Sequence, residues 1–329
     1  MVGPPLLNLK SAVRSASIRA LPSGKRIRPR FHTSLSTTIT ELVGAPADTT
    51  SVNFVIGDSQ FEVTVQPNLS AQLSGARILF SINKNNELDW IDEWARWHVV
   101  HHRTDTVVLF DNGSDRYACK DIEAVLSRVS GLSSYAVISM PYRFGAVDPA
   151  VMVNPYWPLF LQISSMSIVL RRFGMAASCL INCDIDELAN PPGGQSLYDV
   201  CQASKAGLVI LNGRWIEAVR SSGVSSQVRH RHFPFSRVDD DRPASPAKWV
   251  LDPKREWVQN LSVHPYWHWV HGRPPFSKTR LEEACYWHFR GINTGWKDST
   301  RPVATSEAGG LVRDARLDEL MASLTALTP

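Results

Sequence analysis

The chain has 329 residues, 43% of them hydrophobic and 20% charged, and this composition excludes an intrinsically disordered protein. No run of about 18 apolar residues occurs, so we expect no membrane-spanning helix, and the opening residues lack the apolar centre of a secretory signal. Five cysteines in apolar surroundings fit buried thiols in a reducing compartment, and we therefore expect a cytoplasmic protein.

The net charge of +4 is distributed unevenly, because seven basic residues and no acidic residue precede Glu41. Residues 1–45 are rich in Ser, Thr, Pro and Arg without sustained periodicity, which predicts a basic flexible arm. A basic arm is attracted to anionic surfaces. We expect peripheral contact with an anionic membrane at its inner face and no nucleic-acid partner, with a plain solvated tail as the alternative.

Residues 46–75 contain two short alternating runs on either side of Gly57-Asp58, a pattern that predicts a small β-hairpin extension. Residues 76–200 then alternate between apolar runs and helical spacing. The predicted strands are residues 77–82, 106–110, 135–140 and 178–183, and the predicted helices are residues 88–101, 119–129 and 157–173. This alternation predicts an α/β domain with a mostly parallel sheet flanked by helices, in which ligands bind at the carboxyl ends of the strands.

Residues 201–329 show a weaker pattern. Strands are expected at residues 207–211 and 249–251, and a helix at residues 279–289 before a polar tail. We interpret this part as a second half of the domain that faces the second substrate, followed by a C-terminal tail.

Two aspartates follow the fourth predicted strand, in the run Cys183-Asp184-Ile185-Asp186-Glu187. Residues two positions apart along a strand point to the same side, so Asp184 and Asp186 can reach one ion. Mg²⁺ and Mn²⁺ prefer oxygen ligands and commonly bind one or two carboxylates plus substrate phosphates. The alternative is a solvated turn whose acidic residues cap a helix.

Two other polar groups follow the first two predicted strands. Asp111 opens the run Asp111-Asn112-Gly113-Ser114-Asp115, where a carboxylate could accept hydrogen bonds from a ribose or a base. Asn86-Glu87 follows the first strand, and its alternative is an acid in the first turn of a helix. For the Asp111 run the alternative is a loop whose Ser114 or Asp115 caps the next helix.

Taken together, these elements resemble the bacterial family-2-like and family 92 glycosyltransferases. The resemblance runs from Asn86-Glu87 through the Trp-rich helix that ends at His98, then through the Asp111 run to Asp184-Ile185-Asp186-Glu187. It covers about residues 78–188 well and continues weakly to His288-Phe289-Arg290. It implies a GT-A (Rossmann-like) fold, with a mostly parallel mixed sheet flanked by helices.

The resemblance also implies roles for individual residues. Asp184 and Asp186, with His288, would hold Mn²⁺ or Mg²⁺ beneath the diphosphate of the donor. Glu217 or Glu187 would act as the catalytic base, a choice that the sequence leaves open. The donor nucleotide and its phosphates would be bound by Asn86, Glu87, Asp111, Asp115, Asp184 and Arg290.

The activity implied is hexosyl transfer from a nucleotide-diphosphate sugar, with a UDP-sugar favoured, to a hydroxyl of a glycan, polysaccharide or glycolipid. Two alternatives stay open. A hydrophobic strand ending in Asp-x-Asp also begins the haloacid-dehalogenase-like phosphatases and phosphotransferases, although Leu188 stands where those enzymes have Thr or Val. A sugar-nucleotide-binding protein that has lost catalysis is the other.

Overall fold

The computed structural model describes residues 1–34, 36–145, 159–221, 227–238, 244–275, 279–295 and 310–326. The chain divides into two compact units. The first comprises Met1–Leu73, Arg143–Met175 and Glu256–Arg273. The second comprises Ser74–Tyr142, Ala176–Arg255 and Pro274–Pro329.

The elements are numbered here in chain order. The α-helices are α1 (Lys10–Ser15), α2 (Leu88–His102), α3 (Cys119–Leu126), α4 (Phe160–Ile168), α5 (Leu197–Ala203), α6 (Glu256–Gln259) and α7 (Ala315–Ala326). The strands of the first unit are β1 (Val2–Gly3), β2 (Ser17–Leu21), β3 (Arg28–Thr33), β4 (Thr38–Val43), β5 (Ser51–Ile56), β6 (Ser59–Thr64), β15 (His264–Pro265) and β16 (Val270–His271). The strands of the second unit are β7 (Arg77–Asn83), β8 (Thr106–Asp111), β9 (Ser134–Ser139), β10 (Cys179–Asn182), β11 (Glu187–Ala189), β12 (Leu208–Ile216), β13 (Phe235–Arg237), β14 (Ser245–Leu251), β17 (Thr279–Phe289) and β18 (Leu311–Arg313).

The first unit contains two three-stranded sheets, ordered β1-β4-β3 and β2-β5-β6. Strands β5 and β6 form the hairpin expected around Gly57-Asp58, with Ile56 paired to Ser59. Helix α4 occupies part of the segment predicted as helical at residues 157–173, and a π-helical turn, Val169–Gly174, extends it. The first two residues of that prediction, 157 and 158, lie outside the described residues.

The prediction that residues 1–45 form a flexible arm is wrong, because the described part of this segment contains α1 and four strands. Val2 pairs with Ile39, and β2 pairs with β5. Beneath β2 and β5 lies a small apolar core that includes Ile18, Ile27 and Phe54. The sequence pattern did not predict these strands because each is short, and β1 and β2 pair with strands that lie more than about 30 residues further along the chain.

The second unit is built on one eight-stranded mixed sheet, ordered β11-β17-β12-β14-β10-β7-β8-β9. Strands β10, β7, β8 and β9 run parallel, as do β12 and β17, whereas β14 is antiparallel to both of its neighbours. Four helices accompany this sheet in the second unit, α2, α3, α5 and α7. The predicted fold class, a mostly parallel mixed α/β sheet flanked by helices, is confirmed.

Alternate residues of the central strands build the main apolar core of this unit. Leu79, Leu109 and Ile181 lie on one side of their strands and pack in a cluster with residues of α2, α3, α5 and α7. Residues of the opposite side, such as Phe80 and Trp249, are buried as well. Burial of both sides explains why these strands are continuous apolar runs in the sequence. In the described part of the chain, no helix combines the length and the apolar composition needed to cross a bilayer.

Residues 279–289, predicted as a helix, form strand β17 instead. The strand pairs in parallel with β12 and antiparallel with β11. Its consecutive residues from Ala284 to Phe289 are all buried, which a helix with one exposed side would not allow. The polar tail expected after Gly291 contains helix α7, whose Leu317 and Leu324 enter the main core.

Candidate functional site

The carboxyl ends of the parallel strands bring the predicted polar groups to one edge of the sheet. Asn83, the last residue of β7, pairs with Asp111, the last residue of β8. On the other side of β7, Asn182 at the end of β10 pairs with Phe80. Because adjacent strands lie about 4.8 Å apart, β10 and β8 are separated by about 10 Å across the sheet, with β7 between them. The acidic run after β10 and the Asp111 loop therefore belong to the same edge.

Asp186, Glu187 and His288 meet at this edge. The Asp186 Oδ2 lies 3.1 Å from the His288 Nε2, and the Glu187 Oε1 lies 3.8 Å from the His288 Nδ1. One ligand atom from each of the three residues falls within 4.8 Å of the others. Strand β11 carries Glu187 and strand β17 carries His288, and these two residues are directly paired in the ladder.

The surroundings of His288 fit a metal ligand. Its Nδ1 is hydrogen-bonded to the Ser245 Oγ at 2.7 Å, and Ser245 also bonds the hydroxyl of Tyr286 at 2.8 Å. The Trp215 ring stacks on the imidazole with 4.4 Å between ring centres. Metal-binding histidines commonly engage their second nitrogen in this way, which fixes the ring. Two carboxylates and one imidazole are a donor set that suits Mn²⁺ or Mg²⁺.

Asp184 has a different neighbour from the one expected. Its Oδ2 lies 2.5 Å from the Nζ of Lys248, whose side chain is only 2% exposed. The same ammonium lies 3.2 Å from the Glu187 Oε2, which in turn accepts a hydrogen bond of 2.8 Å from the backbone N–H of Asp184. The structure thus places Asp184 beside the cluster of Asp186, Glu187 and His288, in an ion pair with a buried lysine.

Three carboxylates and one lysine give this region an excess of negative charge. Burial, with Asp184 and Asp186 adding to it against the effect of Lys248 and His288, raises the pKa of Glu187 to about 7. Burial by itself would lower the pKa of Lys248, but Asp184 and Glu187 raise it above its usual value. Lys248 therefore stays charged, and the remaining negative charge is what a divalent cation would neutralise.

The Asp111 loop is held by its own hydrogen bonds. The buried carboxylate of Asp111 accepts from the Asn83 Nδ2 at 2.7 Å, from the Ser114 Oγ at 2.6 Å and from the Ser114 backbone N–H at 3.0 Å. The Asn86 Nδ2 donates to the Asn83 Oδ1 at 2.9 Å, so Asn86 joins the same network. This arrangement fixes the loop and connects Asp111 and Asn86 through Asn83.

Glu87 and Asp115 lie at the outer side of this loop. Glu87 precedes α2 and forms an ion pair of 2.7 Å with Arg116, in which both side chains are about half exposed. Asp115 is exposed, and its backbone N–H donates to the Asn85 Oδ1 at 3.0 Å. The carboxylates of Glu87 and Asp115 are both accessible at the surface beside the edge.

Glu217 directly follows β12, whose Trp215 pairs with His288. Its Oε1 is 3.8 Å from the Arg237 Nε and 4.0 Å from the Arg290 Nε. The Arg290 guanidinium also lies over the Trp215 ring, 4.7 Å from its centre. Trp215 thus connects Arg290 with His288, so that both residues carried over from the resemblance lie around one indole ring.

Sequence reasoning gave no role to Lys248, Ser245 or Trp215. Lys248 carried a signal, because it stands directly before the apolar run Trp249-Val250-Leu251 of a buried strand, where a charge needs a partner. No local signal marks Ser245 and Trp215, because their contacts with His288 join strands that are distant in the sequence.

No protein-family model matches this chain. The search of curated proteins also finds no match. Among solved structures, the chain is similar to the galactosyltransferase LgtC in complex with donor and acceptor sugar analogues, with a TM-score of 0.32 and 13% identity over 56% of this chain and 60% of LgtC. An active-site mutant of LgtC gives a TM-score of 0.29 and 12% identity over 56% and 59% of the two chains.

The apo structure of WbbM, a bifunctional glycosyltransferase, gives a TM-score of 0.30 and 10% identity over 65% of this chain and 39% of WbbM. This chain therefore spans about 60% of the length of LgtC. The structural neighbours named here are glycosyltransferases. Membership of family 92 stays a prediction.

Proposed function

We propose that this chain is a divalent-metal-dependent glycosyltransferase that moves a hexosyl group from a nucleotide-diphosphate sugar to a hydroxyl group. The observation that carries the proposal is the meeting of Asp186, Glu187 and His288 at the carboxyl edge of the sheet. The Asp111 loop at the same edge supports it, because a nucleotide bound there would extend its phosphates toward the cluster. A UDP-sugar donor and a glycan, polysaccharide or glycolipid acceptor are the substrates we propose.

In this proposal Asp186, Glu187 and His288 hold Mn²⁺ or Mg²⁺, with Asp184 beside them. When bound, the cation would offset the negative charge that develops on the departing diphosphate. Ser245 and Trp215 keep the imidazole of His288 in place.

The other residues bind the donor and prepare the acceptor. Arg290 binds a phosphate oxygen through its guanidinium, and Asn86, Glu87, Asp111 and Asp115 form the nucleotide side of the site. We propose Glu217 as the base that removes the acceptor proton, because Glu187 is assigned to the metal and its side chain is only 1% exposed, whereas that of Glu217 is 10% exposed. Glu187 is the remaining candidate.

The test is nucleotide-sugar turnover with and without Mn²⁺, in the wild type and in Asp186→Asn. We expect the wild type to release nucleoside diphosphate only with the metal, and Asp186→Asn to lose at least about 100-fold in turnover. Asp199→Asn is the matched control, because Asp199 forms an ion pair with Arg77 outside the cluster. Full activity of Asp186→Asn would refute the metal site.

The same assay separates the two alternatives. Release of phosphate from a phosphomonoester would favour a phosphatase or phosphotransferase. Binding of a nucleotide-sugar without turnover, seen as a rise in melting temperature, would favour a protein that only binds the donor.

The exposed arginines of the first unit support a second element of the proposal, peripheral contact with an anionic membrane. Arg19 of β2 and Arg26 face each other in an isolated antiparallel bridge, and Arg28 and Arg30 follow on alternate residues in β3. All four are exposed. Like charges opposite each other destabilise a sheet, and a surface of anionic lipid head groups would compensate for them. We name these four residues the arginine face.

Exposed leucines favour a lipid surface over other anionic partners. Leu7 is 81% exposed and Leu9 is 66% exposed, and both belong to the same unit as the arginine face. Apolar side chains next to basic ones insert at the boundary between head groups and acyl chains. We propose that the first unit contacts anionic membranes through the arginine face and these leucines.

A further inference from the structure

The turn at residues 184–187, called here the acidic turn, is connected to a buried charged residue that the proposed chemistry does not use, Glu93. Glu93, on the inner side of α2, has no exposed side-chain surface. Its Oε2 lies 3.3 Å from the Nδ1 of His230, which is equally buried, and its Oε1 contacts the Arg231 Nε. A carboxylate buried this deeply persists only where cationic partners stabilise it.

Helix α2 holds the segment that carries His230. The Trp90 Nε1 donates to the carbonyl of Val228 at 2.7 Å, and Asp89 forms an ion pair of 2.9 Å with Arg229. With the contacts of Glu93, residues from one end of α2 bind four consecutive residues, 228–231. The segment is therefore fixed against the helix residue by residue.

His230 connects this segment to the acidic turn. Its Nε2 lies 2.8 Å from the carbonyl oxygen of Ile185, the residue between Asp184 and Asp186. A carbonyl oxygen only accepts hydrogen bonds, so the Nε2 carries a proton and donates it. The His230 ring also meets Phe289 edge to face, with 5.0 Å between ring centres.

The orientation of the Ile185 peptide group determines where Asp186 points. The backbone of Asp186 is also held from the other side, because its carbonyl accepts a hydrogen bond of 2.9 Å from the backbone N–H of Phe289. The turn is thus bound between His230 and β17. In this position the Asp186 Oδ2 reaches the His288 Nε2.

We propose that His230 and Glu93 are positioning residues of the metal site. Glu93 holds His230, and His230 holds the Ile185 carbonyl, so that Asp186 is placed for metal binding before any ligand arrives. This inference rests on the proposed metal site. Partners that orient the ligands of a metal commonly contribute 10- to 100-fold in affinity, and we expect an effect of about tenfold or more here.

Two substitutions of His230 test the hydrogen bond itself. His230→Phe keeps an aromatic ring against Phe289 but removes the donor, whereas His230→Gln offers an amide N–H at a similar distance along the side chain. We expect His230→Phe to weaken Mn²⁺ binding to the donor-free protein by about tenfold or more and His230→Gln to recover most of that loss. The affinity is measured by calorimetry or by the electron paramagnetic resonance signal of free Mn²⁺.

Glu93→Gln gives a second route to the same conclusion. The amide is similar in size to the carboxylate but removes the charge that pairs with His230, and we expect Mn²⁺ affinity to fall here too. Asp92→Asn is the matched control on the same helix, because its ion pair with Arg96 lies within α2 and does not involve the segment that carries His230. We expect its Mn²⁺ affinity to match that of the wild type.

A purely structural role would lower stability without changing affinity. Ile122→Val, a small truncation in the main core, provides a destabilised variant with the whole site intact. Wild-type Mn²⁺ affinity in His230→Phe, or equal losses in His230→Phe and His230→Gln, would overturn the proposal.

Asp186→Asn separates this inference from the metal site on which it rests. If Asp186→Asn binds Mn²⁺ as tightly as the wild type does, the metal site itself is wrong. If Asp186→Asn abolishes binding while His230→Phe leaves it unchanged, only the positioning role is wrong. None of these measurements depends on glycosyl transfer.

Discussion

Lys248 shows how one side chain shapes the candidate site. It is the single positive charge that contacts both Asp184 and Glu187 among the described residues, and its side chain is almost fully buried. Its ammonium allows two carboxylates to stay near each other in a region of low polarity. Removing that charge therefore tests the electrostatics of the site directly.

We expect Lys248→Met to lower the free energy of unfolding by about 3–5 kcal/mol without divalent metal, because it leaves buried carboxylates without their cation. Methionine keeps most of the volume of the lysine, so the decrease in the free energy of unfolding comes mainly from the missing charge and not from altered packing. Added Mn²⁺ should restore part of the loss, since a ligand that binds only the folded state stabilises it. Urea unfolding with and without Mn²⁺ measures both effects.

The exposed Lys254 is the control for this substitution, and Lys254→Met should change the free energy of unfolding by less than about 0.5 kcal/mol. Equal stabilities of Lys248→Met and the wild type would contradict the ion-pair network.

The lowered pKa of Glu93 predicts that the stability of the protein depends on pH. Burial opposes its ionisation, but the nearby imidazole of His230 and the guanidinium of Arg231 prevail and lower its pKa from 4.5 to about 2. Between about pH 2 and pH 4.5, this carboxyl group is protonated more often in the unfolded chain than in the folded protein. The stabilisation is therefore fully present above pH 4.5 and is lost as the pH falls toward 2.

Glu93→Gln lacks this titration. We expect the difference in unfolding free energy between wild type and variant to be largest above about pH 5 and to shrink by about 3 kcal/mol as the pH approaches 2. Urea unfolding of both proteins at a series of pH values measures the difference, in which the contributions of other titrating groups cancel. A difference that stays constant with pH would show that Glu93 is not held as an ionised carboxylate.

At the scale of elements, the site depends on strands β12, β14 and β17 coming together. Gly213 in β12 pairs with Ser245 of β14 and with Tyr286 of β17, next to an irregularity in the ladder. A Cβ built on Gly213 would lie 2.4 Å from the Ser245 Cβ and 2.6 Å from the Tyr286 hydroxyl. Only glycine leaves room for the contacts through which Ser245 reaches His288.

We expect Gly213→Ala to destabilise the protein by about 1–3 kcal/mol and to weaken Mn²⁺ binding, because Ser245 and Tyr286 must move. Thermal unfolding and Mn²⁺ titration measure the two effects. Gly3→Ala is the control, since a Cβ at Gly3 meets no atom within 4 Å. An unchanged melting temperature in Gly213→Ala would mean that the strands can separate there without cost.

The elements that the sequence predicted well are those with a strong local pattern. Strands β7, β8 and β10 and helix α2 agree with their predicted bounds within one or two residues, because buried parallel strands read as apolar runs and α2 shows helical spacing. Strand β17 was predicted as a helix because its apolar and charged residues also fit helical spacing. Its pairing with β11 and β12, which local pattern does not report, decided its conformation.

At the scale of the whole molecule, the charge is divided between the units. The arginine face belongs to the first unit, and the acidic cluster belongs to the second. Of the four arginines, Arg30 has an acidic partner, Glu41, at 3.4 Å. This division suits a protein in which one unit contacts an anionic surface while the other binds substrate.

Arg26→Glu tests the proposed contact with anionic membranes, and we expect the variant to fold normally. It converts a like-charged pair with Arg19 into an opposite pair, so we expect stability to be unchanged or to rise by a few tenths of a kcal/mol. Binding to vesicles with an anionic lipid should weaken several-fold, because the surface loses two units of positive charge. Co-sedimentation with anionic and neutral vesicles at two salt concentrations measures it.

Lys120→Glu makes the same charge change on an exposed residue of the second unit and should leave vesicle binding unaltered. Equal losses in the two variants would indicate a general charge effect. Vesicle binding of Arg26→Glu equal to that of the wild type would refute the arginine face as the contact surface.

The sequence by itself determined the α/β class, the order of the central strands and helices, and the placing of Asp111 and Asp186 at strand ends, because all of these follow from local periodicity and from chain order. Only the tertiary structure decided that residues 1–45 form sheets, that β17 is a strand and that Lys248 pairs with Asp184. Asp186 and His288 are 102 residues apart in the chain, yet their side chains lie 3.1 Å apart. Contacts between distant residues leave no local pattern, since each depends on how several strands pack at once.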